Sequence, residues 1–143
     1  MRAFGLLPLL LVCLLPVPAE GEARHALDGE YAFYTTAKVD GRPLCSERWR
    51  FEPAGKMTIF SGDEISKDSF HTEFTGGDNW LVRRWLSANG LPDCLGRKTT
   101  VVPSWEWRIF FYQAKDGSYV LCDPPRAPRI LSCFGRLVRA LES

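Results

Sequence analysis

The chain has 143 residues, with 18 basic and 17 acidic side chains. Its first nineteen residues, Met1 to Ala19, hold fourteen hydrophobic residues, one base (Arg2) and no acid, so the other 124 are neutral in sum and about 40% hydrophobic. That balance excludes a polybasic nucleic-acid binder and a charge-extended disordered tail, and the length predicts one domain, since a domain takes about 100–200 residues.

The first element is a leader. Arg2 precedes an apolar run from Phe4 to Leu15, and Val17-Pro18-Ala19 supplies small residues for cleavage. These are the three parts of a signal peptide over 1–19, with Ala23 as a second cleavage position. The apolar run is about a dozen residues long and carries prolines, whereas a membrane-spanning helix needs about 20 apolar residues. Residues 20–28 are expected to be a flexible lead-in, and 29–143 a single domain outside the cytoplasm, periplasmic or extracellular, with no membrane span.

Four cysteines remain beyond the leader: Cys45, Cys94, Cys122 and Cys133. An even number in an exported chain predicts two disulfides, and four cysteines allow three connectivities. The turn-rich stretch Asp123 to Pro128 would bring the segments that carry Cys122 and Cys133 side by side, which leaves Cys45 with Cys94. A metal site is not expected, since no C-x-x-C spacing occurs and His25 and His71 are the only histidines.

From residue 30 onward, apolar or alternating segments are broken by turn signals about every ten residues, the pattern of an all-β barrel or sandwich. Strands are predicted at 30–38, 44–52, 56–60, 69–74, 80–86, 98–102, 105–113, 118–122 and 129–134. Asp40-Gly41 between the first two is a strong hairpin signal, because both residues tolerate a positive φ. At the C-terminus Phe134, Leu137, Val138 and Leu141 stand at helical spacing, so the last strand is expected to end at 134 and give way to a short amphipathic helix.

Alternation assigns the faces. Trp105, Trp107, Ile109 and Phe111 share one side of their strand and should point inward. Cys45, Trp49 and Phe51 do the same, with Glu47 as the single charge on an apolar face. In 80–86 either face carries an arginine, Arg84 on one and Arg83 on the other. No nucleophile elbow, zinc-protease signature or phosphate-binding glycine loop is present. His71 with Glu73 falls on one strand face, which predicts a solvated outer pair more readily than a catalytic dyad. Asp63, Glu64 and Asp68 are expected to form an acidic, turn-rich surface.

The opening Gly29-Glu30-Tyr31 and some eight meandering antiparallel strands resemble small exported lipocalin-like barrels in architecture. The expected fold is therefore an all-β, antiparallel, up-and-down barrel of about eight strands, with a two-sheet sandwich as alternative. The expected function is non-enzymatic binding of a small apolar or amphipathic ligand, with Trp105, Trp107, Glu47 and Arg84 lining its site and no cofactor. The alternative is a protein-binding or inhibitory module acting through its surface. Residues 20–78 hold 12 acidic and 7 basic residues, and 79–143 hold 5 and 10. Arg126, Arg129, Arg136 and Arg139 would then form a basic patch for an anionic partner, unless the two halves pair across the sheet.

Overall fold

The structure, a computed structural model, describes residues 26–125 and 131–140. The leader at 1–19, Arg126, Arg129, the start of the 129–134 segment and Leu141 lie outside the described residues.

Eight strands close into one antiparallel barrel: β1 (Gly29–Thr35), β4 (Ser46–Glu52), β5 (Lys56–Ser61), β6 (Glu64–Thr75), β7 (Asp78–Ala88), β8 (Glu106–Gln113), β9 (Tyr119–Cys122) and β10 (Cys133–Arg139). Each strand pairs with the next along the chain, and β10 returns to pair with β1, with Tyr31 opposite Arg139 and Phe33 opposite Leu137. The sandwich alternative is excluded by that closure. A two-stranded ribbon, β2 (Lys38–Val39) and β3 (Arg42–Pro43), projects between β1 and β4. At its tip Asp40 and Gly41 both have positive φ, 49° and 77°, as an Asp-Gly hairpin requires.

Three segments depart from the sequence expectation. The helix after 134 does not form: β10 continues to Arg139, with Leu137 fully buried and Arg136 and Val138 outside. Closure explains this, because a helix there would leave the outer edge of β1 without hydrogen-bond partners. The 98–102 segment is no strand. It forms only an isolated bridge, Pro92 with Lys98, within a long connection from 89 to 105, and Val101 is 79% exposed. Finally β6 begins at Glu64 and not near 69. Its first half turns Glu64, Ser66 and Asp68 inward and Ile65 and Lys67 outward, the reverse of the usual pattern.

The barrel is filled unevenly along its axis. Toward the end closed by the short turns at 53–55, 76–77 and 114–118, Tyr31, Phe51, Met57, Leu81, Phe111, Tyr119, Leu121 and Leu137 form a continuous apolar core. Its rings meet mostly edge to face, for example Tyr31 with Phe51 at 5.7 Å and Phe111 with Tyr119 at 5.7 Å. Phe33 stacks on Trp49 with ring centroids 4.9 Å apart. Gly135 lets β10 pass beneath Phe33, since a Cβ there would lie 2.1 Å from the ring.

Gly135→Ala should therefore destabilise the fold by about 1–3 kcal/mol through overpacking. Pairing it with Phe33→Leu should recover part of the loss. Thermal or urea unfolding of the parent and the two variants checks this, and a Gly135→Ala midpoint equal to the parent's would refute the contact.

Candidate functional site

At the opposite end the barrel is hollow. A cavity of about 710 Å³ opens there, walled by Phe33, Trp49, Ile59, Trp107 and Ile109, with Glu47, Ser61, Glu64, Ser66 and Arg83 among its polar lining. Register explains the grouping. Phe33 stands opposite Glu47, Glu47 opposite Ser61 and Ser61 opposite Glu64, so one row of inward side chains crosses four strands. Trp49, Ile59 and Ser66 form the adjacent row.

Between cavity and core stands an ion pair. The Arg83 guanidinium donates through Nε and Nη2 to Asp68 Oδ2, both at 2.6 Å, and the Asp68 side chain is fully buried. The guanidinium carbon lies 5.5 Å from the Trp49 ring and 5.4 Å from that of Trp107, so two indoles flank the cation. Burial pushes the Asp68 carboxyl above its usual range, against the pull of Arg83, and its Oδ1 has no hydrogen-bond partner among the described residues. The pair is thus held in place by the surrounding fold more than it stabilises it.

Glu47 is oriented by neutral donors. Trp49 Nε1 donates to its Oε2 at 2.6 Å and Ser61 Oγ to its Oε1 at 2.8 Å. Glu64, from the same row, is only 6% exposed, and its Oε2 has no hydrogen-bond partner among the described residues.

The 89–105 connection crosses the mouth and adds Asp93, Leu95 and Arg97 to the lining. It is anchored at several points. The Cys45–Cys94 disulfide ties it to the start of β4, the Pro92 carbonyl accepts from the amides of Asp63 and Glu64, and the Cys94 amide donates to Ser61 Oγ. It also packs on Gly62, where a Cβ would meet the Asp93 carbonyl carbon at 2.8 Å. Asp93 binds the Arg97 guanidinium at 3.0 Å; burial opposes its ionisation, but the amides of Arg97 and Leu95 and that guanidinium outweigh it and lower its pKa. The second disulfide, Cys122–Cys133, joins residues directly opposite each other on β9 and β10 at the same end. Both disulfides have the connectivity expected from the sequence.

Of the four residues expected to line a site, Glu47 and Trp107 do so. Trp105 is 59% exposed just before β8, its ring 5.9 Å from that of Trp107, so it stands at the rim and not in the cavity. Arg84 is a correction: it is exposed on the outer face, opposite Ser69 and Glu106, while its neighbour Arg83 points inward. Glu64 and Asp68, expected on an acidic surface, are inside. Their i, i+2, i+4 spacing with Ser66 carried the signal, but a polar alternation reads equally as an outer face.

His71 and Glu73 sit on the outer wall, 2.9 Å apart, and Arg108 binds Glu73 at 2.8 Å. The hydrogen bonds from His71 and Arg108 hold Glu73 below the usual carboxylate range. This constellation faces away from the barrel interior. Arg136 pairs with Asp116 at 2.9 Å and Arg139 with Asp28 at 3.1 Å. Asp68–Arg83, Glu73–Arg108 and Asp28–Arg139 join the acidic half of the chain to the basic half. Cys45, Glu47 and Cys94 cluster closely enough to suggest metal ligands, but the two sulfurs are bonded to each other.

Comparison of the chain with protein-family models, with curated proteins and with solved structures finds no match.

The buried pair makes a pH-dependent prediction. Arg83→Met leaves Asp68 buried without its cation and should cost roughly 3–5 kcal/mol near neutral pH. A carboxyl whose folded pKa lies above its unfolded value stabilises the fold below the unfolded value, and that contribution is lost as pH rises through the folded one. Removing Arg83 raises the folded value further, so the deficit should shrink as pH falls into the acid range. Urea unfolding at several pH values measures it, and a deficit independent of pH would exclude Asp68 as its source.

Proposed function

We propose that this chain is an exported, non-enzymatic β-barrel that holds a small apolar or amphipathic ligand in the hollow half of its barrel. The observation that carries this reading is the cavity itself. Its volume, about 710 Å³, lies within the range of roughly 300–1,000 Å³ typical of small-molecule sites. Its lining supports the same reading, because indole, phenyl and isoleucine walls with a few oriented polar groups are what bind and align an amphipathic molecule. Binding is favoured over catalysis because the histidine–carboxylate pair among the described residues, His71 with Glu73, lies on the outer wall. Export rests on the leader pattern at 1–19 and on the two disulfides, which suit an oxidising compartment, periplasmic or extracellular.

A second reading, a protein-binding or inhibitory module, is supported by the rim. Leu86, Leu91, Val101 and Trp105 are exposed on or beside the connection over the mouth. Exposed apolar residues at the rim of a barrel favour contact with a partner.

N-phenyl-1-naphthylamine, a neutral apolar dye that brightens in dry surroundings, separates the two. Under the cavity reading it should bind the folded protein at about one dye per chain and transfer energy from tryptophan. Ser66→Phe, which places a ring in the cavity, should abolish binding while the thermal midpoint reports that the barrel still folds. Dye binding that survives this filling would move the site to the rim.

A further inference from the structure

The charges around the cavity do not balance. Each arginine of its lining is already engaged: Arg83 with Asp68, Arg97 with Asp93 and Arg108 with Glu73. Glu47 and Glu64, by contrast, have no cation within ion-pair distance among the described residues. Glu47 accepts hydrogen bonds from Trp49 and Ser61, two neutral donors. Glu64 is the sharper case, since the residue is only 6% exposed and its Oε2 has no hydrogen-bond partner among the described residues. Burying a carboxylate without a partner opposes folding, so a site that keeps one has left a position for a donor.

The two carboxylates share the row that runs from Glu47 through Ser61 to Glu64. Two strand spacings separate their backbones, roughly 10 Å, with only the small Ser61 side chain at the position between them, and all three border the cavity. The adjacent row, Trp49, Ile59 and Ser66, leads toward the core and is mostly apolar.

We infer that the cavity selects a cationic amphiphile, whose ammonium head seats between Glu64 and Glu47 and whose apolar tail lies along Trp49, Ile59 and Trp107. The inference rests on the cavity being a ligand site, as proposed above. A charge-assisted hydrogen bond from the ammonium supplies Glu64 with its missing donor, and Ser61 and the aromatic walls complete the surroundings. An anionic head fits poorly. Arg83, the cation nearest the core, already gives two N–H groups to Asp68 and lies between two indoles, while Glu47 and Glu64 would repel the anion.

Three probes with one tail decide the matter: decylamine, 1-decanol and decanoate, each competing with N-phenyl-1-naphthylamine on the oxidised full chain at neutral pH. Decylamine should displace the dye at a concentration lower by about tenfold or more than either of the others, the ratio expected for one charge-assisted hydrogen bond. In Glu64→Gln that preference should collapse to a few-fold, and Glu47→Gln should weaken it in the same direction. The ligand-free Glu64→Gln protein should also melt at a higher temperature, because an unpartnered buried charge is gone. If the dye binds but the three probes compete equally, or decanoate competes best, the cationic preference is wrong and the cavity reading stands. A preference that survives in Glu64→Gln removes Glu64 from the recognition. If calorimetry finds neither the dye nor any probe bound, the cavity reading fails and this inference falls with it.

Discussion

The structure depends on the closure of one sheet by the hydrogen bonds between β1 and β10. These bonds remove both free edges and fix how many strands enclose the interior. An eight-stranded barrel has an interior just wide enough either to be filled by its own side chains or to hold one small molecule. This chain is filled at one end and hollow at the other. Large rings and leucines fill the end with short turns, and smaller or polar residues, Ser61, Glu64 and Ser66 among them, leave the other end open.

The boundary between the halves is the Asp68–Arg83 pair with its flanking indoles. A buried ion pair is seldom a net source of stability, and apolar residues of similar volume often serve as well or better. Its value here is geometric. It holds Trp49 and Trp107 apart across the barrel, where two unsupported indoles would be free to collapse into the space. Together with Glu47 and Glu64 above it, it also keeps the interior of the hollow half partly polar.

Much of this was legible in the residues. Alternation in 105–113 and 44–52 placed Trp107, Ile109, Phe111, Trp49, Phe51 and Glu47 inward, because one face was apolar and the other charged. Even-numbered cysteines flanking a turn indicated the disulfide pairing. What the residues leave illegible has more than one cause. The rule that apolar faces point inward fails where the interior is polar, and by that rule β6 starts late and Glu64 and Asp68 fall on the surface. In β7 both faces mixed arginine with apolar residues, and only the pairing of Arg83 with Trp107 and Phe70 decides which is inside. The 98–102 segment has β-branched residues at strand density, but it finds no strand to pair with beyond the single Pro92–Lys98 bridge. At the C-terminus a two-residue and a helical period both fit Phe134 to Val138. The need of β1 for a partner, a contact about a hundred residues away in sequence, decided between them.

Both disulfides lie at the hollow end, and none of the described cysteines lies in the filled one. Where side chains cohere, the strands need no covalent tie; where they have been cleared away, sulfur replaces the missing cohesion. The molecule is therefore a cup whose base is held by packing and whose lip is held by bonds that a reductant can cut. A change of redox surroundings would loosen the lip first and leave the base assembled, so the shape of the mouth, more than the fold beneath it, depends on the state of two sulfur pairs.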